Sequence, residues 1–150
     1  MSTEELATVQ GRRETLYRVL SQSIESKSLV DIFGEVKAHL LSQNKRAIEG
    51  EGKDRVCKYR TESGLKCAVG CLVPDSLYTP DMELASVAAA VKYRPVDSKF
   101  ELMAQLQDIH DENSPPYWKD LLDVLVFKWK SSYAIDLEPS APKLTVAVKV

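Results

Sequence analysis

The chain lacks most of what marks out a specialised protein class. No apolar run approaches the roughly 18 residues that a bilayer crossing requires, so nothing supports a membrane-spanning reading. Cysteine is scarce and odd in number, three in 150 residues. That excludes a disulfide framework and leads us to expect free thiols in a reducing cytosol. Neither sign of charge prevails, with 20 Lys and Arg against 22 Asp and Glu, a net −2. The balance provides no general attraction for nucleic acid, which is not an expected partner, and it equally excludes an acidic mimic of DNA. The start, Ser2-Thr3-Glu4-Glu5, is polar and acidic, unlike a secretory signal. Glycine is sparse too: Gly64 and Gly70 form no phosphate-binding loop.

What is present is helical periodicity. Residues 2–27 read as a helix with a thin stripe, Leu6, Val9, Leu16, Leu20 and Ile24, broken by Arg13. A stripe that thin predicts a peripheral helix. Ser28 caps a second helix over 29–43, where Leu29, Ile32, Phe33, Val36 and Leu40 recur at helical spacing. The polar, glycine-bearing stretch 44–55 reads as a surface loop. Alternation in 56–60 and 65–69, around a turn ending in Gly64, predicts a short hairpin.

Thr79-Pro80 opens a further helix with Leu84, Val87, Ala88 and Val91 on its buried face. Ser98 with Glu101 reads as the capping box of the next one, which runs to about Asp111. Ser114-Pro115 starts the last helix, where Trp118, Leu121, Leu122, Leu125 and Trp129 form a stripe that Val124, Val126 and Phe127 widen nearly all round. This is the expected central helix, and Leu125 ranks above Leu16 as a stability determinant. The tail from Leu144 to Val150 alternates strictly and reads as a strand that pairs with the 56–60/65–69 hairpin or, the favoured reading, with another chain, in a dimer or on a target's sheet edge. The expected fold is mainly α with a small β element: about five helices around a central apolar helix, a short hairpin and a C-terminal strand. Residues 1–28 form a peripheral helix, 29–130 the core domain, and 131–150 a linker and strand.

The candidate chemistry lies between Cys57 and Asp75, with a weaker partner at Gln107–Asp111. The cysteines run Cys57-x9-Cys67-x3-Cys71. With His110 they would make four zinc ligands, but the spacing fits none of the usual pairs, so no metal is expected. Small thiols buried for packing are the commoner use. A nucleophilic site would take Cys67 at a strand-to-helix turn, His110 as base and Asp111 nearby. A binding site would use Cys57, Tyr59, Arg60, Lys66 and Asp75, with Lys58, Arg60 and Lys66 forming a small basic face for an anion.

Several pieces recur in a fixed order. They are Ile32 to Leu40 with Gln43-Asn44-Lys45, then Cys57-Lys58-Tyr59-Arg60, then Gly64-Leu65-Lys66-Cys67-Ala68-Val69-Gly70-Cys71-Leu72-Val73-Pro74-Asp75. Tyr78 to Glu83, Leu106 to Asp111 and Trp118 follow. In these the stretch Ile32 to Trp118 resembles a family of small proteins common in tailed phages and bacterial genomes, which carries no assigned activity. The resemblance implies a phage or prophage origin and a host-cytoplasmic setting, and it transfers no catalytic residue. The expected function is a binding protein, without cofactor, that engages a host or phage protein or a small anionic ligand. The alternative is a cysteine-dependent hydrolase or transferase using Cys67 and His110.

Overall fold

A computed structural model describes residues 2–93 and 97–139. Among these are five α-helices: α1 (Thr3–Ile24), α2 (Leu29–Gln43), α3 (Val87–Tyr93), α4 (Ser98–Glu112) and α5 (Trp118–Tyr133). A two-stranded antiparallel sheet joins β1 (Ile48–Glu49) to β2 (Val56–Cys57), with Ile48 opposite Cys57 and Glu49 opposite Val56. The fold is thus mainly α with a small β element, as the periodicity predicts. No helix among the described residues is long and apolar enough to cross a membrane. The predicted strand Leu144 to Val150 lies outside the described residues.

Helix α2 follows its pattern closely. Ser28 and Asp31 form a reciprocal capping box. Ile32, Phe33, Val36 and Leu40 are all fully buried, and Asn44 closes the helix in the left-handed conformation. At α4 the cap is Asp97, whose carboxylate accepts from the Lys99 and Phe100 N–H groups. Ser98 is the first helical residue and not the cap. An aspartate competes well with a serine for this place because its oxygens accept more strongly.

Four further expectations are corrected. The sheet forms between residues 48–49 and 56–57, so the stretch read as a loop supplies one strand. Of the expected hairpin only a single bridge, Arg60 opposite Lys66, is present. The Thr79-Pro80 start gives a 3-10 turn over Pro80–Leu84, and α3 begins afresh at Val87, leaving Leu84 exposed. Helix α5 is not central. Its inner face buries Trp118, Leu122, Leu125 and Trp129, but Val124 and Phe127 stand 60% and 71% exposed. Helix α4 buries seven residues, Phe100, Leu102, Met103, Leu106, Gln107, Ile109 and His110, and takes the central place.

Helix α1 is less peripheral than its thin stripe predicts. Leu16, Leu20 and Ile24 belong to the same core cluster as α2 and α4. Past α5, Leu137 is buried and Glu138 pairs with Lys37 of α2 at 2.6 Å. The start of the expected linker therefore belongs to the core.

Candidate functional site

The site is assembled where the segment 46–75 lies against the C-terminal turn of α4. A chain of hydrogen bonds joins them. The Val69 N–H donates to Gln107 Oε1 at 3.0 Å, and Gln107 Nε2 donates to Asp111 Oδ1 at 2.9 Å. His110 Nδ1 lies 2.7 Å from the same Asp111 oxygen, and the Ala47 N–H donates to His110 Nε2 at 2.9 Å. An N–H can donate only to a lone pair, so Nε2 carries no proton and Nδ1 carries it. The ring is fully buried and stacked on Trp118, with centroids 5.6 Å apart.

Gly70 permits the close approach that brings this segment in. A Cβ at Gly70 would lie 2.0 Å from the Tyr59 carbonyl oxygen. The Cys67 N–H donates to that same carbonyl at 3.1 Å. On the other side of the Arg60–Lys66 bridge, Gln43 and His39 of α2 hold the backbone of Lys66. Gln43 accepts its N–H, and Gln43 and His39 both donate to its carbonyl at 2.8 Å.

A cleft of about 190 Å³ opens beside this network. Cys57, Gln107 and Asp111 line it together with Tyr59, Glu83 and the stretch Leu84 to Val87. The Cys57 thiol is half-buried. Burial, and then the neighbouring Asp111 charge, raise it above the usual thiol range, against a smaller opposite pull from Arg46. Arg46 reaches the Asp111 carbonyl and lies 4.0 Å from the Cys57 sulfur. Tyr59 is buried and donates its hydroxyl to the Ala85 carbonyl at 2.7 Å. Burial raises the Tyr59 phenol, and the charges of neighbouring groups raise it further.

The residues singled out in the sequence do not converge on one place. Cys57, Tyr59 and Asp111 meet at the cleft. Lys66 and Asp75 line a separate shallow hollow with Lys27, Glu35 and Cys71. Arg60 is committed internally: its guanidinium bonds Asp75 at 2.6 Å and the Val73 carbonyl at 2.5 Å, and it lies over the Tyr78 ring at 4.5 Å. The expected basic face is therefore broken up, with the Arg60 charge balanced by Asp75.

Cys67 and His110 are both fully buried. Burial raises the Cys67 thiol far above the ordinary range, and its sulfur accepts the Gly70 N–H at 3.2 Å. Cys57, Cys67 and Cys71 are free thiols. One metal-like grouping exists among the described residues: ligand atoms of Cys57, His110 and Asp111 lie within 4.8 Å of one another. The ring protonation set by Ala47 works against it. Nε2 has spent its lone pair on the Ala47 N–H, and Nδ1 holds a proton toward Asp111, so coordination would require breaking one of these bonds.

Two important groups went unread in the sequence. Glu83 accepts from the Tyr59 and Arg60 N–H groups at 2.9 and 3.1 Å and from the Tyr78 hydroxyl at 2.7 Å. It ends the Tyr78–Glu83 piece of the phage-like pattern, but nothing in the sequence gives its carboxylate a role. Arg46 lies in the stretch read as a loop and carries no signal at all. Comparisons with family models, with curated proteins and with solved structures found no match.

Proposed function

We propose that the chain is a binding protein of the tailed-phage or prophage type, acting in the host cytoplasm. It receives a small ligand, or a projecting side chain of a host protein, in the cleft at Cys57, Tyr59, Gln107 and Asp111. One observation carries this reading. Three separate pieces of the phage-like pattern, Cys57 to Tyr59, Glu83, and Gln107 to Asp111, line one concave opening. Concave sites with a few convergent polar groups are where ligands are usually held.

The polar groups there are held by hydrogen bonds and are not poised to react. Burial and then Asp111 raise the Cys57 thiol above its ordinary range, which lowers the share of thiolate, the form that attacks. The alternative, a hydrolase or transferase using Cys67 and His110, would need both groups to be reachable by a substrate, and both are fully buried.

The test is an NMR screen of fragments and short peptides against the full chain and a Cys57→Leu variant that narrows the cleft. We expect binders to shift amides at 57–59, 83–87 and 107–111, and to lose affinity at least tenfold in a Cys57→Leu variant of unchanged melting temperature, about 1.4 kcal/mol. Binders whose shifts lie elsewhere, or that bind Cys57→Leu equally well, would overturn the assignment of the cleft.

A further inference from the structure

Among the described residues, the outer face of α5 is left exposed. Val124 is 60% and Phe127 71% exposed. With Asp120 and Ser131 they fall at i, i+4, i+7 and i+11, the spacing of a seam along which a second helix packs. The apolar pair is in the middle and the polar pair at the ends. On one flank, Asp123 lies one turn before Phe127 and Lys130 lies one turn after it. Among the described residues, Asp123 pairs with Lys119 alone, at 3.1 Å with both side chains at least half exposed. Lys130 has no ion pair among the described residues.

This face is self-complementary when the two helices run antiparallel. We propose that α5 is a self-association face that takes a second copy of the chain antiparallel to itself. The twofold axis passes between Val124 and Phe127, so each Val124 meets the partner's Phe127. In an antiparallel pair the same flank of each helix adjoins the other. Asp123 therefore faces the partner's Lys130, and the symmetry makes this contact twice. A parallel pair would instead bring opposite flanks together, so Asp123 would lie toward the partner's Lys128 and away from its Lys130, and exchanging Asp123 with Lys130 would then set Lys against Lys. The contact is short, so the dimer is weak and salt-sensitive.

Sedimentation of the full chain at concentrations up to about 1 mM tests this, because an association of only about 4 kcal/mol would be visible there. We expect a concentration-dependent dimer that Phe127→Asp abolishes with no change in melting temperature. Asp123→Lys and Lys130→Asp should each weaken it about fivefold or more, since two exposed ion pairs are lost at once. The double variant Asp123→Lys/Lys130→Asp should return to within about twofold of the parent, because it restores both pairs in the antiparallel register. A monomer at every concentration would overturn the proposal. So would a dimer that survives Phe127→Asp, which would place the contact elsewhere, for example in the C-terminal segment. Failure of the double variant to recover would overturn the antiparallel register.

Discussion

At the scale of single residues, the site depends on a few bonds that have no substitute. Gly70 is one. Any side chain there drives a Cβ into the Tyr59 carbonyl, and both segments are held by core contacts. Gly70→Ala should therefore cost about 1–3 kcal/mol, the range of an overpacked site that must shift its backbone, read as a fall in urea midpoint. An unchanged midpoint would mean that the Tyr59 segment moves freely. The thiols give a second residue-scale expectation. Removing the Asp111 charge lowers the Cys57 pKa, which increases the thiolate fraction at a fixed pH below that pKa. Asp111→Asn should thus speed alkylation of Cys57 at pH 8 while Cys67, fully buried, stays unlabelled. Cys71, pushed up to about 12 chiefly by burial, should react more slowly than Cys57 in both proteins. Unchanged labelling of Cys57 in Asp111→Asn would show that burial alone governs its thiol.

At the scale of elements, the helices carried their own signatures and the connections did not. Helix α2 was legible to its cap because Ser28, Asp31 and a full apolar stripe agree. The sheet was not, since strands of two residues are too short to show alternation, and Ile48 pairs across a turn that reads as polar loop. Periodicity also misplaced the central helix. Val124 and Phe127 look like core in a one-dimensional pattern, yet only the inner half of α5 finds neighbours. The same error undervalued α1, where Leu16 and Leu20 are 1% and 0% exposed against 7% for Leu125. Leu20→Ala should then cost about 2–5 kcal/mol, no less than Leu125→Ala, measured by urea unfolding of both. A clearly larger loss for Leu125→Ala would return α5 to the centre. Glu83 ties the 80–84 turn to the backbone at Tyr59 and Arg60. Glu83→Ala leaves two N–H groups and the Tyr78 hydroxyl without their acceptor, a loss of roughly 2–4 kcal/mol for charge-assisted bonds. A Glu83→Ala variant with parental stability would show that water replaces the carboxylate.

At the scale of the whole molecule, the candidate site was half legible. The stretches containing Cys57, Tyr59, Gln107 and Asp111 could be picked from the sequence. That the 57–75 segment packs against the helix ending at His110 could also be expected, from polar side chains set in apolar surroundings on both. The cleft between them could not, because it depends on Arg46, Ala47 and Glu83, whose roles are set by tertiary contacts alone. Arg60, Lys66 and Asp75 carried the same local signal and lie outside the cleft. Residue type shows which groups are polar and not which of them remain unspent after folding. Here folding spends most of them, which is why we propose that the cleft holds a ligand and does not transform one. The protonation of His110 decides between these uses, since a free lone pair on either nitrogen would allow base or metal chemistry beside Cys57. Long-range proton–nitrogen correlation spectra of the full chain at neutral pH, without and with one equivalent of zinc, test this most directly. We expect the His110 proton on Nδ1, Nε2 bonded to the Ala47 N–H, and no change on adding zinc. A proton on Nε2, or zinc-induced shifts at His110 with stoichiometric metal uptake, would contradict the binding-cleft reading and make Cys57, His110 and Asp111 a metal or catalytic centre.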